Sequence, residues 1–319
     1  MREPPIRADT GATGATGASG ASGARDATDG TDATGATGAT VAGTTPVNPS
    51  ASATPPVVKF DRVAKTYEGG NTAIRDVTFQ VDDRPGQMEI VSILGPSGCG
   101  KSTVLRLIAG LSPQHPPTSG TVEVMGAPVS APGADRGFVF QDYTSFDNRT
   151  VEDNIAFGLE CQRMPQRQRR ELTRDWIRKV GLDVDRDAGK YPHELSGGMR
   201  QRVALARTLI LKPRVILMDE PFGALDPKTR YAMQDQLVAL AREVQATVFL
   251  VTHSIEEAVY VGDRLFIFSN APGTIVRQMS TPHPDRPARV MQREPSFLDI
   301  VFEVRDIVEG LEMSLKAGT

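Results

Sequence analysis

The sequence predicts an α/β fold in which a largely parallel sheet is covered by helices and interrupted by a helical insert. Beyond residue 213 strands and helices alternate, and this pattern requires right-handed crossovers and builds parallel, buried strands. The predicted order there is strand 214–218, helix 228–244, strand 247–251, helix 255–261 and strand 264–268. Earlier β-rich runs predict strands at 57–63, 77–81, 89–94, 121–124 and 137–141. Between 150 and 211 the apolar residues recur at helical spacing, which predicts the insert.

Composition favours one large domain with appendages. The chain has 319 residues, of which 39% are apolar and 24% charged. Its formal charge of -3 gives no reason to expect nucleic acid as a partner, because nucleic-acid binders usually present a strongly basic face. The two cysteines form no disulfide framework, which favours a reducing compartment such as the cytosol. No apolar run approaches the roughly 18 to 20 residues needed to cross a bilayer, so membrane association would require a partner.

Both ends of the chain differ from its centre. Residues 1–56 are rich in Gly, Ala and Thr, and Val41 is the only large aliphatic residue between Arg7 and Thr45, so a flexible tail is predicted. Glycine recurs there every third residue from 11 to 23, but the stretch has no proline to favour a collagen helix. Near the other end, one helical face is apolar, and it either packs on the domain or docks a partner. Its residues are Phe297, Ile300, Val304, Ile307, Val308 and Leu311.

A glycine-rich segment between predicted strand 89–94 and a helical run predicts a phosphate-binding loop. Glycines let backbone N–H groups turn towards phosphate oxygens at a helix N-terminus, which already favours negative charge. Lys101 would neutralise the β- and γ-phosphates, and the Ser102 hydroxyl would bind Mg²⁺. The predicted nucleotide-binding residues are Gly95, Pro96, Ser97, Gly98, Cys99, Gly100, Lys101, Ser102 and Thr103.

An apolar strand ending in two carboxylates supplies the second half of the predicted chemistry. Asp219 fits the role of holding Mg²⁺, and Glu220 can face the water that attacks the γ-phosphate. On its own such a pair is more often a solvated strand exit, and the phosphate loop is what favours the functional interpretation. Together the two motifs predict a P-loop NTPase, a class that includes kinases, helicases and motors.

A second glycine-rich segment narrows the choice among the classes of P-loop NTPase. Ser196 and two glycines at a helix start would form another anion-binding nest, and one nucleotide needs only one. This nest would therefore serve a nucleotide held by another copy. The segment contains Leu195, Ser196, Gly197, Gly198 and Met199.

With these motifs in order, residues 57–289 resemble the ABC ATPase family, in which two subunits sandwich ATP between a phosphate loop and a partner's signature. The resemblance implies further roles. Tyr67 matches the aromatic residue that stacks on adenine, although it could be only a strand-end tyrosine. Gln141 resembles the glutamine that contacts Mg²⁺ beside the membrane subunit. Asp226 resembles the aspartate linking the two sites, and His253 the histidine that contacts the γ-phosphate.

The resemblance also implies an architecture and partners. The expected ABC cassette spans 57–290, with an antiparallel β subdomain and a helical subdomain at about 142–212, followed by a helical extension at 291–319. Its expected ligands are ATP and Mg²⁺. Its expected partners are a second ATPase subunit forming a homodimer, a polytopic permease and an extracytoplasmic solute-binding protein, with no nucleic acid. The expected location is peripheral, at the cytoplasmic face of the cell membrane.

One branch of the family fits best. Met199 replaces the usual Gln of the signature, and this Met is usual in ATPases of nitrate, sulfonate and taurine-type importers. That branch often carries Pro-Trp before the Thr-Val that opens the next helix, whereas this chain reads Phe146-Asp147-Asn148-Arg149 before Thr150. Since this stretch faces the membrane subunit in the family, the solute does not follow from the resemblance.

Two other readings stay open at this stage. An exporter ATPase would share every catalytic residue and is disfavoured only by the importer-like details. A soluble ABC protein of DNA repair would need a long coiled coil between Lys101 and Ser196, which are 95 positions apart. Translation-type members usually carry two cassettes, and this chain shows a single phosphate loop.

Overall fold

The computed structural model describes residues 54–83 and 86–317, and the tail predicted at 1–56 lies, as far as residue 53, outside this range. The strands are β1 Val58–Thr66, β2 Thr72–Val81, β3 Glu89–Leu94, β4 Ser119–Val124, β5 Ala127–Pro128, β6 Arg136–Val139, β7 Val215–Asp219, β8 Thr247–Thr252, β9 Arg264–Phe268 and β10 Ile275–Ser280. The helices are α1 Lys101–Ala109, α2 Val151–Cys161, α3 Gln166–Lys179, α4 Val184–Asp187, α5 Gly197–Leu209, α6 Pro227–Val244, α7 Ile255–Val261, α8 Ala288–Met291 and α9 Pro295–Ala317.

The larger sheet has the order β10-β9-β3-β8-β7-β6. Its pairs are parallel except for the antiparallel edge strand β10. Every residue of β3, β7 and β8 is buried, as expected for parallel strands covered on both faces. The predicted α/β fold with a mainly parallel core sheet is therefore confirmed.

The smaller sheet, of order β2-β1-β4-β5, is antiparallel and lies against one face of the larger sheet. Phe79 carries much of this contact, because its ring stacks on Phe60 at a centroid distance of 4.6 Å and lies 5.2 Å from Phe266 of the larger sheet. Helix α1 shares this layer. The opposite face of the larger sheet packs against helices α2, α3 and α5 to α9.

Helices α2 to α5 form the insert between β6 and β7. The loop that leads into it is tied by Asn154, which is fully buried. Its side-chain oxygen accepts from the Phe146 N–H at 2.7 Å, and its amide donates to the carbonyls of Arg149 and Thr150 at 2.9 and 3.0 Å. Thr150 caps α2 by accepting from the Asp153 N–H. Residues 146–150, where the sequence differs from the pattern of the branch it resembles, are thus held by hydrogen bonds within the chain itself.

Helix α9 packs against α7. Phe297 and Val304 are buried, and Ile300, Ile307, Val308 and Leu311 pack against the same core, so the apolar face seen in the sequence is the packed face. An ion pair between Arg305 and Glu256, at 3.3 Å, adds a polar contact between α9 and α7. Among the described residues, no helix combines the length and apolar character needed to span a membrane.

The differences from the predicted elements have local causes. Strand β2 begins at Thr72, five residues before the predicted start at 77. The prediction began late because Arg75 and Asp76 are both exposed and so interrupt the apolar alternation, and Asp76 has a φ of 48°. The strand predicted at 137–141 ends at Val139, so Phe140 and Gln141 leave the sheet edge. No residue of strand β10 is buried, so its sequence lacks the alternation of apolar and polar residues from which a strand is predicted.

Candidate functional site

The carboxyl ends of three parallel strands meet at one edge of the larger sheet. Leu94 of β3 pairs with Thr252 of β8, and Asp219 of β7 pairs with Val251 of β8. The next residues along the chain are the first glycine of the phosphate loop, Glu220 and His253. Because ligands of open α/β sheets bind at this edge, the sheet brings together motifs that are far apart in sequence.

The phosphate loop requires glycine at two of its positions. Gly98 and Gly100 have φ angles of 78° and 94°, in the left-handed region. A Cβ at Gly100 would also lie 2.4 Å from Cγ2 of Ile74 and 2.7 Å from the carbonyl oxygen of Ala73. Gly100 has no side chain to cap α1, so the first N–H groups of that helix are available to an anion.

Lys101 is folded over this loop and is 6% exposed. Its ammonium donates to the carbonyl oxygens of Gly95 and Pro96 at 2.7 and 2.8 Å. A buried cation inside a ring of backbone groups is suited to phosphate oxygens. Nearby, burial raises the pKa of the Cys99 thiol, with Lys101 opposing the shift, so Cys99 stays neutral and serves as part of the loop packing.

Ser102 and Asp219 are joined by a hydrogen bond, in which the hydroxyl donates to Oδ1 at 2.8 Å. Asp219 is 5% exposed, and burial raises the pKa of its carboxyl group, opposed by the Ser102 bond and by Arg106. A hydroxyl and a carboxylate side by side are the hard oxygen ligands that Mg²⁺ takes alongside phosphate oxygens and water. Among the described residues, no group of three or more His, Cys, Asp or Glu side chains could hold a metal ion.

Two of the predicted residues, Gln141 and His253, contact a third, Glu220. Its carboxylate oxygen Oε2 lies 3.4 Å from Nε2 of Gln141 and 3.2 Å from Nδ1 of His253. Its backbone has a φ of 47°, and its N–H donates to the Val251 carbonyl of β8 at 3.0 Å. A non-glycine residue in this conformation is uncommon, and such strained backbone occurs at active sites as well as in turns. The carboxylate is thereby aimed beyond the sheet edge.

Tyr67 lies next to the phosphate loop. Its hydroxyl is 3.0 Å from Oγ1 of Thr103, the last residue of the predicted loop, and its ring is partly exposed. Lys65 places its ammonium 5.7 Å from the ring centroid. The position suits contact with a bound base, and stacking on adenine stays a prediction.

The signature is formed at the start of α5. Ser196 caps α5 by accepting from the Met199 N–H at 3.3 Å, and Gly197 and Gly198 form the first turn. Within residues 54–83 and 86–317, no hydrogen bond or ion pair joins 195–199 to the phosphate loop at 95–103. The structure therefore does not bring the two predicted anion sites together in one copy.

Asp226 lies beside the signature. It caps α6 by accepting from the N–H groups of Lys228 and Thr229, both at 3.1 Å. The hydrogen bond with the Thr229 side chain, followed by the backbone bonds, lowers the pKa of its carboxyl group. A Cβ at Gly198 would lie 3.0 Å from Cγ2 of Thr229, so the two helix N-termini nearly touch. The predicted linker residue and the predicted trans site thus share one surface.

Sequence reasoning missed four buried polar residues around the site. Thr252, next to His253, donates its hydroxyl to Oε2 of Glu257 at 2.6 Å. Burial raises the pKa of that carboxyl group. Tyr143 and Gln201 each donate to the carbonyl of Pro221. The available signal was a polar side chain on an otherwise apolar helical face, as with Gln201 one turn before Leu205 in α5.

Comparisons with known proteins agree on one family. A family model described as ABC transporter matches residues 75–223. A nitrate import ATP-binding protein of Synechocystis is 40% identical over 262 residues, covering 80% of this chain and 95% of that protein. A taurine import ATP-binding protein of Burkholderia thailandensis is 48% identical over 246 residues, covering 75% of this chain and 90% of that protein.

A solved structure supports the same fold. It is a dimeric ATP-binding cassette in a post-hydrolysis state, bound to ADP and phosphate. The TM-score is 0.60 at 33% sequence identity, over 70% of this chain and 99% of that one.

The buried carboxylate of Asp219 leads to a stability prediction. Its pKa is raised in the folded protein, so the folded state loses stability as the pH rises through that value. We expect Asp219→Asn to raise the thermal midpoint at pH 7.5 without nucleotide, and we expect this gain to shrink as the pH falls towards 4. Asp226→Asn is the control of opposite sign, because its pKa is lowered and its charge is favoured by folding. Midpoints measured by calorimetry across this pH range test both, and a lower midpoint for Asp219→Asn at pH 7.5 contradicts the burial argument.

Proposed function

The chain belongs to the ABC transporter family as an ATPase coupled to transport, and from this premise we propose that it drives the import of a small anion. The substrate class is that of nitrate, sulfonates or taurine, because the relatives at 40 and 48% identity are named nitrate and taurine import ATP-binding proteins. The observation that carries the catalytic part of the proposal is the contact of Gln141 and His253 with the single carboxylate of Glu220.

In the proposed site the phosphates lie in the loop 95–103, with Lys101 turned from the loop carbonyls to the β- and γ-phosphates. Adenine lies against Tyr67. Ser102, Gln141 and Asp219 would hold Mg²⁺, which would neutralise charge on the phosphate oxygens.

Hydrolysis in this scheme is performed by the side chains at the strand ends. Glu220 orients a water molecule and accepts its proton as the water attacks the γ-phosphate. His253 donates to the transferring phosphoryl group and stabilises its developing charge. The Glu220–His253 contact of 3.2 Å supports this pairing, because the two side chains lie next to each other at neighbouring strand ends.

The second half of each site comes from another copy of the chain. Ser196 and Gly198, at the N-terminus of α5, contact the γ-phosphate in trans, and Asp226 links the two sites. The separation of signature and phosphate loop within one copy and the dimeric cassette among the solved relatives support this arrangement. Closure around ATP and reopening after hydrolysis would move a permease seated near Gln141 and the helical insert.

Partners and location follow from the transport role. We propose a homodimer of this chain bound to a polytopic permease at the cytoplasmic face of the membrane, supplied by an extracytoplasmic solute-binding protein. No nucleic acid is involved. Co-purification of the full chain with its permease and binding protein supports this assembly, whereas a ribosome or DNA partner overturns it.

Removing the proposed base separates binding from hydrolysis. We expect Glu220→Gln to keep ATP affinity while lowering kcat by at least about a hundredfold, since general-base catalysis typically contributes that much. The variant should also run as a dimer with Mg²⁺ and ATP in size-exclusion chromatography. Glu256→Gln, which changes a partly exposed carboxylate of α7 that pairs with Arg305 of α9, is the control and should hydrolyse ATP normally. A Glu220→Gln protein with wild-type turnover would show that the base is another group.

Composite sites can be tested by complementation. Lys101→Ala disables the phosphate loop of one copy, and Ser196→Arg blocks the signature of another, so each homodimer should be inactive. In mixed dimers, the phosphate loop of the Ser196→Arg copy meets the intact signature of the Lys101→Ala copy. We expect mixing to restore turnover measured by phosphate release, and unrestored turnover in dimers confirmed by light scattering is inconsistent with trans sites.

Uptake assays test the solute class. Cells that lack this chain should lose energy-dependent uptake of nitrate, an alkanesulfonate or taurine, and the wild-type chain should restore it while Glu220→Gln should not. Accumulation of the solute inside cells that lack the chain would instead indicate export.

A further inference from the structure

The backbone carbonyl of Pro221, one residue after Glu220, accepts hydrogen bonds from two buried side chains of distant segments. The Tyr143 hydroxyl donates to it at 2.6 Å, and Nε2 of Gln201 donates to the same oxygen. Tyr143 is 5% exposed and Gln201 is fully buried. A carbonyl oxygen has two lone pairs, so these two donors satisfy it completely.

Each donor comes from an element with a different task. Tyr143 lies two positions after Gln141, in the loop that leads from β6 into the helical insert, and its backbone φ is 48°. Gln201 lies in the second turn of α5, the helix that Ser196 caps. One backbone oxygen, in the residue that follows Glu220, therefore connects the Gln141 loop and the signature helix.

The backbone of Glu220 is thereby fixed on both sides. Its N–H donates to the Val251 carbonyl of β8 at 3.0 Å, and its own carbonyl accepts from the Gly223 N–H at 3.3 Å. Beyond it, the Pro221 carbonyl is held by the helical insert. A positive φ of 47° persists only where the surroundings over-determine it, so the contacts at Pro221 belong to what sets the direction of the carboxylate.

Gln201 contributes more than packing. Its Oε1 atom is buried and has no hydrogen-bond partner. A buried, unpaired amide oxygen costs stability, and an apolar side chain of similar size would avoid that cost. The side chain is therefore present for its Nε2 donor. Burial raises the pKa of Tyr143 to about 12, so its hydroxyl also remains a donor throughout the physiological range.

We propose that Tyr143 and Gln201 are positioning residues, which set the orientation of Glu220 according to the position of the helical insert. This inference rests on the proposed function, because it assumes that Glu220 is the base. Movement of the insert during dimer closure shifts both donors, and their shared acceptor transmits the shift to the carboxylate. Hydrolysis is thus made dependent on the placement of α5, which carries the signature for the partner's nucleotide.

The decisive variant is Tyr143→Phe, which removes one oxygen atom and keeps the ring in the core. We expect kcat to fall about tenfold, within the range of up to roughly a hundredfold that a misplacement of about 1 Å can cause, while KM for ATP stays unchanged. Tyr260→Phe is the matched control, because its hydroxyl is also buried and donates at 2.6 Å, but to Asp235 beside the C-terminal segment. It should lower the thermal midpoint similarly and leave kcat unchanged.

Gln201→Met is a second variant, which keeps the volume and removes the donor. It should lower kcat with unchanged KM, and its effect should be less than additive with Tyr143→Phe, since both act on one carbonyl. If both single variants keep the wild-type kcat, or lower kcat only as far as Tyr260→Phe does, the two residues are structural and the inference is wrong. A wild-type chain without ATPase activity would instead overturn the proposed function.

Discussion

The parallel pairing of β3, β8 and β7 is the constraint on which the site depends. Each strand contributes one chemical group just past its carboxyl end, and the register places those ends level: Leu94 beside Thr252, and Asp219 beside Val251. Parallel strands need long crossovers, so their terminal residues are far apart in sequence although they are close in space. The fully buried strands give this edge a rigid base, and the loops beyond it carry the reactive groups.

Much of this arrangement could be predicted, because the information is local. A phosphate loop, a strand ending in Asp219 and a strand ending before His253 are each continuous segments, and the alternation of strand and helix implies that they meet. Contacts between distant segments could not be predicted in this way. Nothing in the sequence around Pro221 shows that Tyr143 and Gln201 converge on its carbonyl. Strand β10 was missed for another reason, since an exposed edge strand has no apolar alternation to detect.

Several polar groups of the site are buried in a way that lowers the stability of the folded protein. Asp219 and Glu257 are carboxylates whose pKa values are raised by burial, and the amide oxygen of Gln201 is buried without a partner. Functional sites commonly concentrate such groups, because a stability optimum and a reactive arrangement require different side chains. The surrounding apolar core compensates, with fully buried Phe222 directly after Pro221.

The C-terminal helix bears on what counts as a complete folding unit. Phe297, Val301 and Val304 of α9 belong to the same continuous core as Ile90 and Leu250 of the central sheet, and the Asn270 amide donates to the Leu311 carbonyl at 3.0 Å. A recombinant fragment that ends shortly after His253 would lack α9. It would expose to water the apolar surface that α9 covers, and such exposed surface promotes aggregation. Truncation boundaries for expression therefore belong beyond α9.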